Sequence, residues 1–168
     1  LLRILSARKL NSWIENRIWQ QSEYDFDHWV ARQLTPDIKW VHTYEHAALH
    51  TIKKAKQLGI KSFYEQPSQH HTFLAELLKK QLSLYPELNC ISTRLMLDSN
   101  AIYSDQRKDK ELLRCDYIIC NSQFTSNTLT EAGIKKEKIL RIPYGFPDVH
   151  FTDPDSSTGK MTFLFAGN

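Results

Sequence analysis

A chain of 168 residues can bury one sizeable core, and its 41% hydrophobic and 24% charged fractions are those of an ordinary globular domain. The net charge of +3 is too small to mark a dedicated nucleic-acid binder, though it permits an anionic ligand or a weak contact with a membrane surface. No apolar run approaches the roughly 20 residues of a membrane span, and no signal-peptide pattern opens the sequence.

Residues 1–21 mix apolar and basic side chains with Trp13 and Trp19, and read as an incomplete element. The spacing of Phe26, Trp29, Val30 and Leu34 predicts a helix over 26–34 with these four on its buried face, stopped at Thr35 and Pro36. A strand over 38–44, a helix over 45–58 closed by Gly59, and a strand over 60–65 then outline a right-handed β–α–β unit. A helix over 70–85 carries Phe73, Leu77, Leu78 and Leu82 on one side and ends at Pro86. Residues 91–115 are mostly helical with charge concentrated in 105–111, and the mixed run 105–110 reads as a solvated face. A strand over 117–120, a helix over 123–132 capped by Gly133, and a strand over 139–142 follow. Pro147, Pro154, Ser156, Ser157 and Gly159 mark a linker, and residues 161–166 read as a further strand. The expected fold class is α/β, a Rossmann-like parallel sheet flanked by helices.

In such a sheet, ligands bind beyond the carboxyl ends of the strands. That rule selects four loops, at 43–46, 66–71, 121–123 and 144–146, and the helix starts near Glu45, Ser68 and Gln123 are expected to offer free N–H groups to an anion or a sugar oxygen. His42, His46 and His50 are spaced so that the last two could share a helix face and hold zinc, but with no third ligand evident the weighing favours solvated or capping histidines. His70 and His71 follow a strand and open a helix, where an imidazole can donate to a phosphate or a sugar hydroxyl; a surface pair is the plainer alternative. Glu45 and Glu65 form a weak candidate acid/base pair. Lys135, Lys136, Lys138 and Arg141 make a small basic patch, read mainly as a solvated turn and secondarily as a contact for acidic lipid. Cys90, Cys115 and Cys120 have no metal-ligand spacing and are expected to be reduced thiols in a cytoplasmic protein. Glycine-rich phosphate loops and nucleic-acid motifs are absent.

The run from Glu111 to Phe124, with Leu112, Asp116, Ile118, Ile119 and Ser122 in place, resembles the E-L-x-x-A-D-x-I-I-x-x-S-x-F segment of family 4 glycosyltransferases of GT-B fold. Gly133, Ile134 and Lys138-Ile139, then Pro143-Tyr144-Gly145 and Phe151, continue the match, and the resemblance covers roughly residues 25 to 168. It departs from the family pattern at Cys115, where alanine is usual, and at Pro147, where aspartate is usual; no strand with a glycine-rich loop precedes Leu34, and the E-x7-E segment would lie past Asn168.

The resemblance implies a retaining transfer of a sugar from a nucleotide-sugar donor to a glycan, lipid-linked or small-molecule acceptor. The chain would be the acceptor-side half of the enzyme and inactive alone. Residues 1–152 would form the N-terminal domain, 153–160 the linker, and 161–168 the first strand of the nucleotide-sugar domain. His70, with His71 as the alternative, would lie near the transferred sugar. Tyr44, Glu45, His46, Gln66, Ser122, Tyr144 and Gly145 would line the acceptor cleft, and Gly167 would approach the donor phosphates. No cofactor or metal is expected, and no nucleic-acid partner; a peripheral contact at the inner face of the membrane is permitted. The rival expectations are another GT-B enzyme such as a sugar-nucleotide epimerase, and a non-enzymatic α/β binding module.

Overall fold

The apolar runs of the middle of the chain become four parallel strands: β1 (Trp40–Tyr44), β2 (Lys61–Glu65), β3 (Tyr117–Cys120) and β4 (Ile139–Arg141), paired in the order β1-β2-β3-β4. A computed structural model describes residues 12–97 and 99–145. The linker at 153–160, the strand at 161–168, Gly167 and residues 1–11 lie outside the described residues. Six helices accompany the strands within them: α1 (Ser12–Gln33), α2 (Leu49–Leu58), α3 (His71–Leu84), α4 (Ile91–Leu95), α5 (Ser99–Arg114) and α6 (Gln123–Glu131). The α/β class with a parallel sheet is as expected, and none of these helices is long and apolar enough to cross a membrane.

Period-2 alternation decides what each strand buries. Thr43, Ser62, Tyr64, Ile118 and Cys120 are buried, whereas their neighbours Tyr44, Phe63, Glu65 and Ile119 are not. One core joins Tyr64, Ile118 and Cys120 to Ala48 and Ile52 beside and on α2, Leu112 on α5, and Leu129 on α6. A smaller cluster of Leu34, Ala55 and Ile60 seals the junction of α1, α2 and β1. The opposite face presents Trp40, His42, Phe63 and Ile119 around a shallow groove of about 300 Å³.

Local signals place the ends. Gly59 takes φ +73° and Gly133 φ +88°, the left-handed conformation that side-chain-bearing residues adopt at a cost of about 1–2 kcal/mol. Asp116 fixes β3 against β2 by accepting from the Ser62 amide and hydroxyl, both at 2.9 Å. Lys138 donates to the Leu112 and Leu113 carbonyls at 2.8 and 3.2 Å, so it completes the C-terminus of α5. Arg141 bonds Gln123. Two of the four cations of the basic patch are therefore tied into the fold.

Three expectations are corrected. Helix α1 begins well before residue 26, and its buried face is Asp27 and Ala31, with Leu34 buried just past its end. Phe26 and Trp29 are exposed and stack on each other. The spacing misleads because the apolar side chains lie on one flank of a helix whose buried stripe is centred on an aspartate. The helix expected from residue 45 starts at Leu49, since 45–48 form a turn in which His46 takes φ +78°. His46 and His50 therefore share no helix face, and the i, i+4 zinc arrangement does not form. The run 105–110 is only partly a solvated face: Gln106 and Lys110 are exposed, but Arg107 and Lys108 are mostly covered, and Glu111, the next residue, is wholly buried.

Candidate functional site

A cavity of about 500 Å³ opens at the carboxyl ends of β1 and β2, where the topology of a parallel sheet predicts it. Tyr44, Glu45 and His46 enter it from the end of β1, Ser68 from the β2–α3 connection, His71 from the start of α3, Asp105 and Lys108 from α5, and Trp19 and Glu23 from α1. Sequence reasoning placed Tyr44, Glu45, His46 and His71 here. It missed Asp105, Lys108, Trp19 and Glu23.

Glu45 is held from below. Its Oε2 accepts from Gln66 Nε2 at 2.8 Å, and its Oε1 stands 3.4 Å from Ser68 Oγ. Gln66 is 3% exposed, and its Nε2 also donates to the Ser68 carbonyl at 3.2 Å. These acceptors fix the orientation of the amide, so the buried Oε1 is the atom left without a hydrogen-bond partner. Glu65, the other member of the expected acid/base pair, is engaged with His42, 3.0 Å from its Nε2.

The two adjacent histidines have different roles. His70 is 4% exposed and caps α3: its Nδ1 accepts from the Thr72 amide at 3.3 Å, while its own amide donates to Thr128 Oγ1 at 3.0 Å. His71 begins the helix and lines the cavity, with Nε2 2.7 Å from Asp109 Oδ1 and Nδ1 3.5 Å from Asp105 Oδ2. Ser122 caps α6 by accepting from the Thr125 amide at 3.0 Å. Tyr144 and Gly145 are exposed beyond the end of β4, and neither these two nor Ser122 lines the cavity.

Of the helix starts that sequence reasoning offered to an anion, that of α2 is fully occupied, while those of α3 and α6 each have one amide capped by a side chain. Asp27 accepts from the His50 and Thr51 amides at 2.8 and 2.9 Å, and Glu111 Oε1 accepts from those of Ala48 and Leu49, each at 3.1 Å. Arg107 bridges the two carboxylates at 3.2 Å to each, and the Tyr64 hydroxyl donates to Glu111 Oε2 at 3.0 Å. The first turn of α2 thus has its N–H groups satisfied by buried anions and repels a phosphate. With Glu23, Glu45 and Asp105 facing Lys108, the cavity suits a neutral polyhydroxyl ligand better than an anion.

Burial, with the charges of Lys108 and Arg107, pushes His46 down to about 4. Burial is also the first cause that lowers His50 and His70, and it raises Glu111. The three histidines bind protons more weakly folded than unfolded, so stability is expected to fall as pH drops from about 6.5 toward about 4. Glu111 acts in the opposite sense, since its raised value relieves a penalty as it protonates. Melting followed from about pH 7.5 to about 5 is expected to show a declining midpoint, less steep in His46→Asn, which tolerates a left-handed backbone. A midpoint that holds or rises over that interval contradicts this assignment.

No family model, curated protein or solved structure matches the chain.

Proposed function

We propose that this chain is the acceptor-side half of a retaining GT-B glycosyltransferase of family 4, binding the saccharide or lipid-linked acceptor that receives a sugar from a nucleotide-sugar donor. The observation that carries the reading is the cavity at the carboxyl edge, walled by Glu45, His46, Ser68, His71, Asp105 and Lys108 with Trp19 and Tyr44 at its side. Its side chains accept and donate to hydroxyls, and the indole and phenol offer apolar faces to the C–H surface of a sugar ring. The occupied start of α2 supports assigning the donor diphosphate to another domain, which would close over the cavity for transfer.

Within this reading Glu45 orients an acceptor hydroxyl, steadied by Gln66, and His71 faces the transferred sugar while His70 supports it from beneath. Neither histidine serves as a general base; each positions the sugar or offsets developing charge. The same reading places the enzyme in the cytoplasm, at the inner face of the membrane when its acceptor is lipid-linked.

Amide chemical-shift mapping of the 168-residue chain against neutral oligosaccharides tests this. The expected result is perturbation at residues 44–46, 68–71 and 105–109, weakened about tenfold or more in Glu45→Gln, with no sugar transfer by the chain alone. Perturbation of these residues by nucleotide alone, with saccharides silent, would overturn the acceptor assignment, and transfer by the isolated chain would overturn its description as a half-enzyme.

A further inference from the structure

The sequence directs attention to His42, His46 and His50 as metal ligands, and the fold separates them. It assembles a different set. Among the described residues, His70, His71 and Asp109 bring one ligand atom each to within 4.8 Å of one another. Asp109 Oδ1 lies 2.7 Å from His71 Nε2 and 3.4 Å from His70 Nε2. Ligands of a tetrahedral zinc bound at about 2.0–2.1 Å stand about 3.3 Å apart, and the two distances to Asp109 fall on either side of that value.

The local backbone explains how consecutive residues converge. His70 is extended, at φ −61° and ψ 140°, and His71 is the first residue of the helix. The change of conformation between them turns successive side chains toward the same side, with ring centroids 4.2 Å apart. Asp109 reaches the pair from α5.

The outer atoms of the cluster carry the argument further. A metal-bound imidazole is oriented by a hydrogen bond from its other ring nitrogen, commonly to a carboxylate. His71 Nδ1 faces Asp105 Oδ2 at 3.5 Å, and His70 Nδ1, which accepts from the Thr72 amide as the helix cap, also lies 2.8 Å from Thr72 Oγ1, to which it would donate instead once Nε2 ligates an ion. Both Nε2 atoms therefore turn toward Asp109 while both Nδ1 atoms have an oxygen partner. His71 lies at the wall of the cavity, which gives an ion and its remaining water ligands a route in.

We propose that His70, His71 and Asp109 form a binding site for a divalent transition-metal ion, zinc by the chemistry of two imidazoles and one carboxylate, with solvent from the cavity completing the tetrahedron. The transfer reading requires no metal, and the site shares His70 and His71 with it, so the metal titration tests the site apart from any saccharide binding.

Titration of the full chain with Co2+ as a spectroscopic stand-in, followed by displacement with Zn2+, tests the site. The expected result is one ion per chain with visible bands of nitrogen and oxygen coordination. His71→Gln and Asp109→Asn are each expected to weaken binding by more than about tenfold, and Asp105→Asn by about tenfold through loss of the carboxylate beside His71 Nδ1. Both ligand positions are partly exposed, so circular dichroism and melting should show these variants folded. His42→Gln and Cys90→Ser are expected to bind as the parent does. Absence of stoichiometric binding overturns the proposal. So does unchanged affinity in His71→Gln and Asp109→Asn, or a thiolate-to-cobalt charge-transfer band, which would place the ion on a cysteine.

Discussion

Arg107→Met is expected to destabilise the domain by about 3–5 kcal/mol, the range for removing one partner from a buried ion pair. The guanidinium lies 3.2 Å from both Asp27 and Glu111, whose side chains are wholly buried, and it is itself only 14% exposed. Methionine fills much of the volume and removes the charge, leaving two carboxylates without water and without their cation. The α2 amides still donate to them, yet four neutral dipoles offset less than a delocalised cation does. Arg107→Lys is expected to recover only part of the loss, because one ammonium does not span two carboxylates in fork geometry. Urea unfolding monitored by circular dichroism measures both variants. A loss below about 1 kcal/mol in Arg107→Met would mean that the triad is solvated in the folded protein.

Ile118→Ala is expected to cost about 2–5 kcal/mol, and Ile119→Ala roughly half as much or less. The two residues are neighbours in β3 with identical side chains, but they point to opposite faces of the sheet. Ile118 is fully buried among Tyr64, Leu112 and Leu129, where truncation leaves a cavity that packed neighbours cannot fill. Ile119 lies in the groove with Trp40 and Phe63, where water or a moved ring can take up the lost volume. Equal costs at the two positions, measured by denaturant unfolding, would show that the second face is also covered in solution.

The candidate site was legible in proportion to how local its signals are. Tyr44, Glu45, His46 and His71 follow strands, and a parallel sheet directs whatever follows its strands into the crevice, so the rule finds them without coordinates. Asp105, Lys108 and Asp109 sit mid-helix in a run of mixed charge, which has the composition of a solvated surface. The available hint was the i, i+4 spacing of Asp105 with Asp109 and of Arg107 with Glu111, which puts each pair on one helix face. Spacing alone does not say that a face is covered.

Chain-local chemistry determined the succession of strands and helices from Trp40 to Arg141, the parallel sheet, and the left-handed caps at Gly59 and Gly133. Backbone propensity, side-chain periodicity and the steric freedom of glycine act over a few residues, so they can be read along the chain. Tertiary structure alone decided that Asp27 and Glu111 close the start of α2, that His70 is buried while His71 faces the cavity, and that Asp109 meets both histidines. These contacts join residues 23 to 63 positions apart. Their energy depends on burial and on the direction of a few polar atoms, quantities that come into existence only when the helices pack against the sheet.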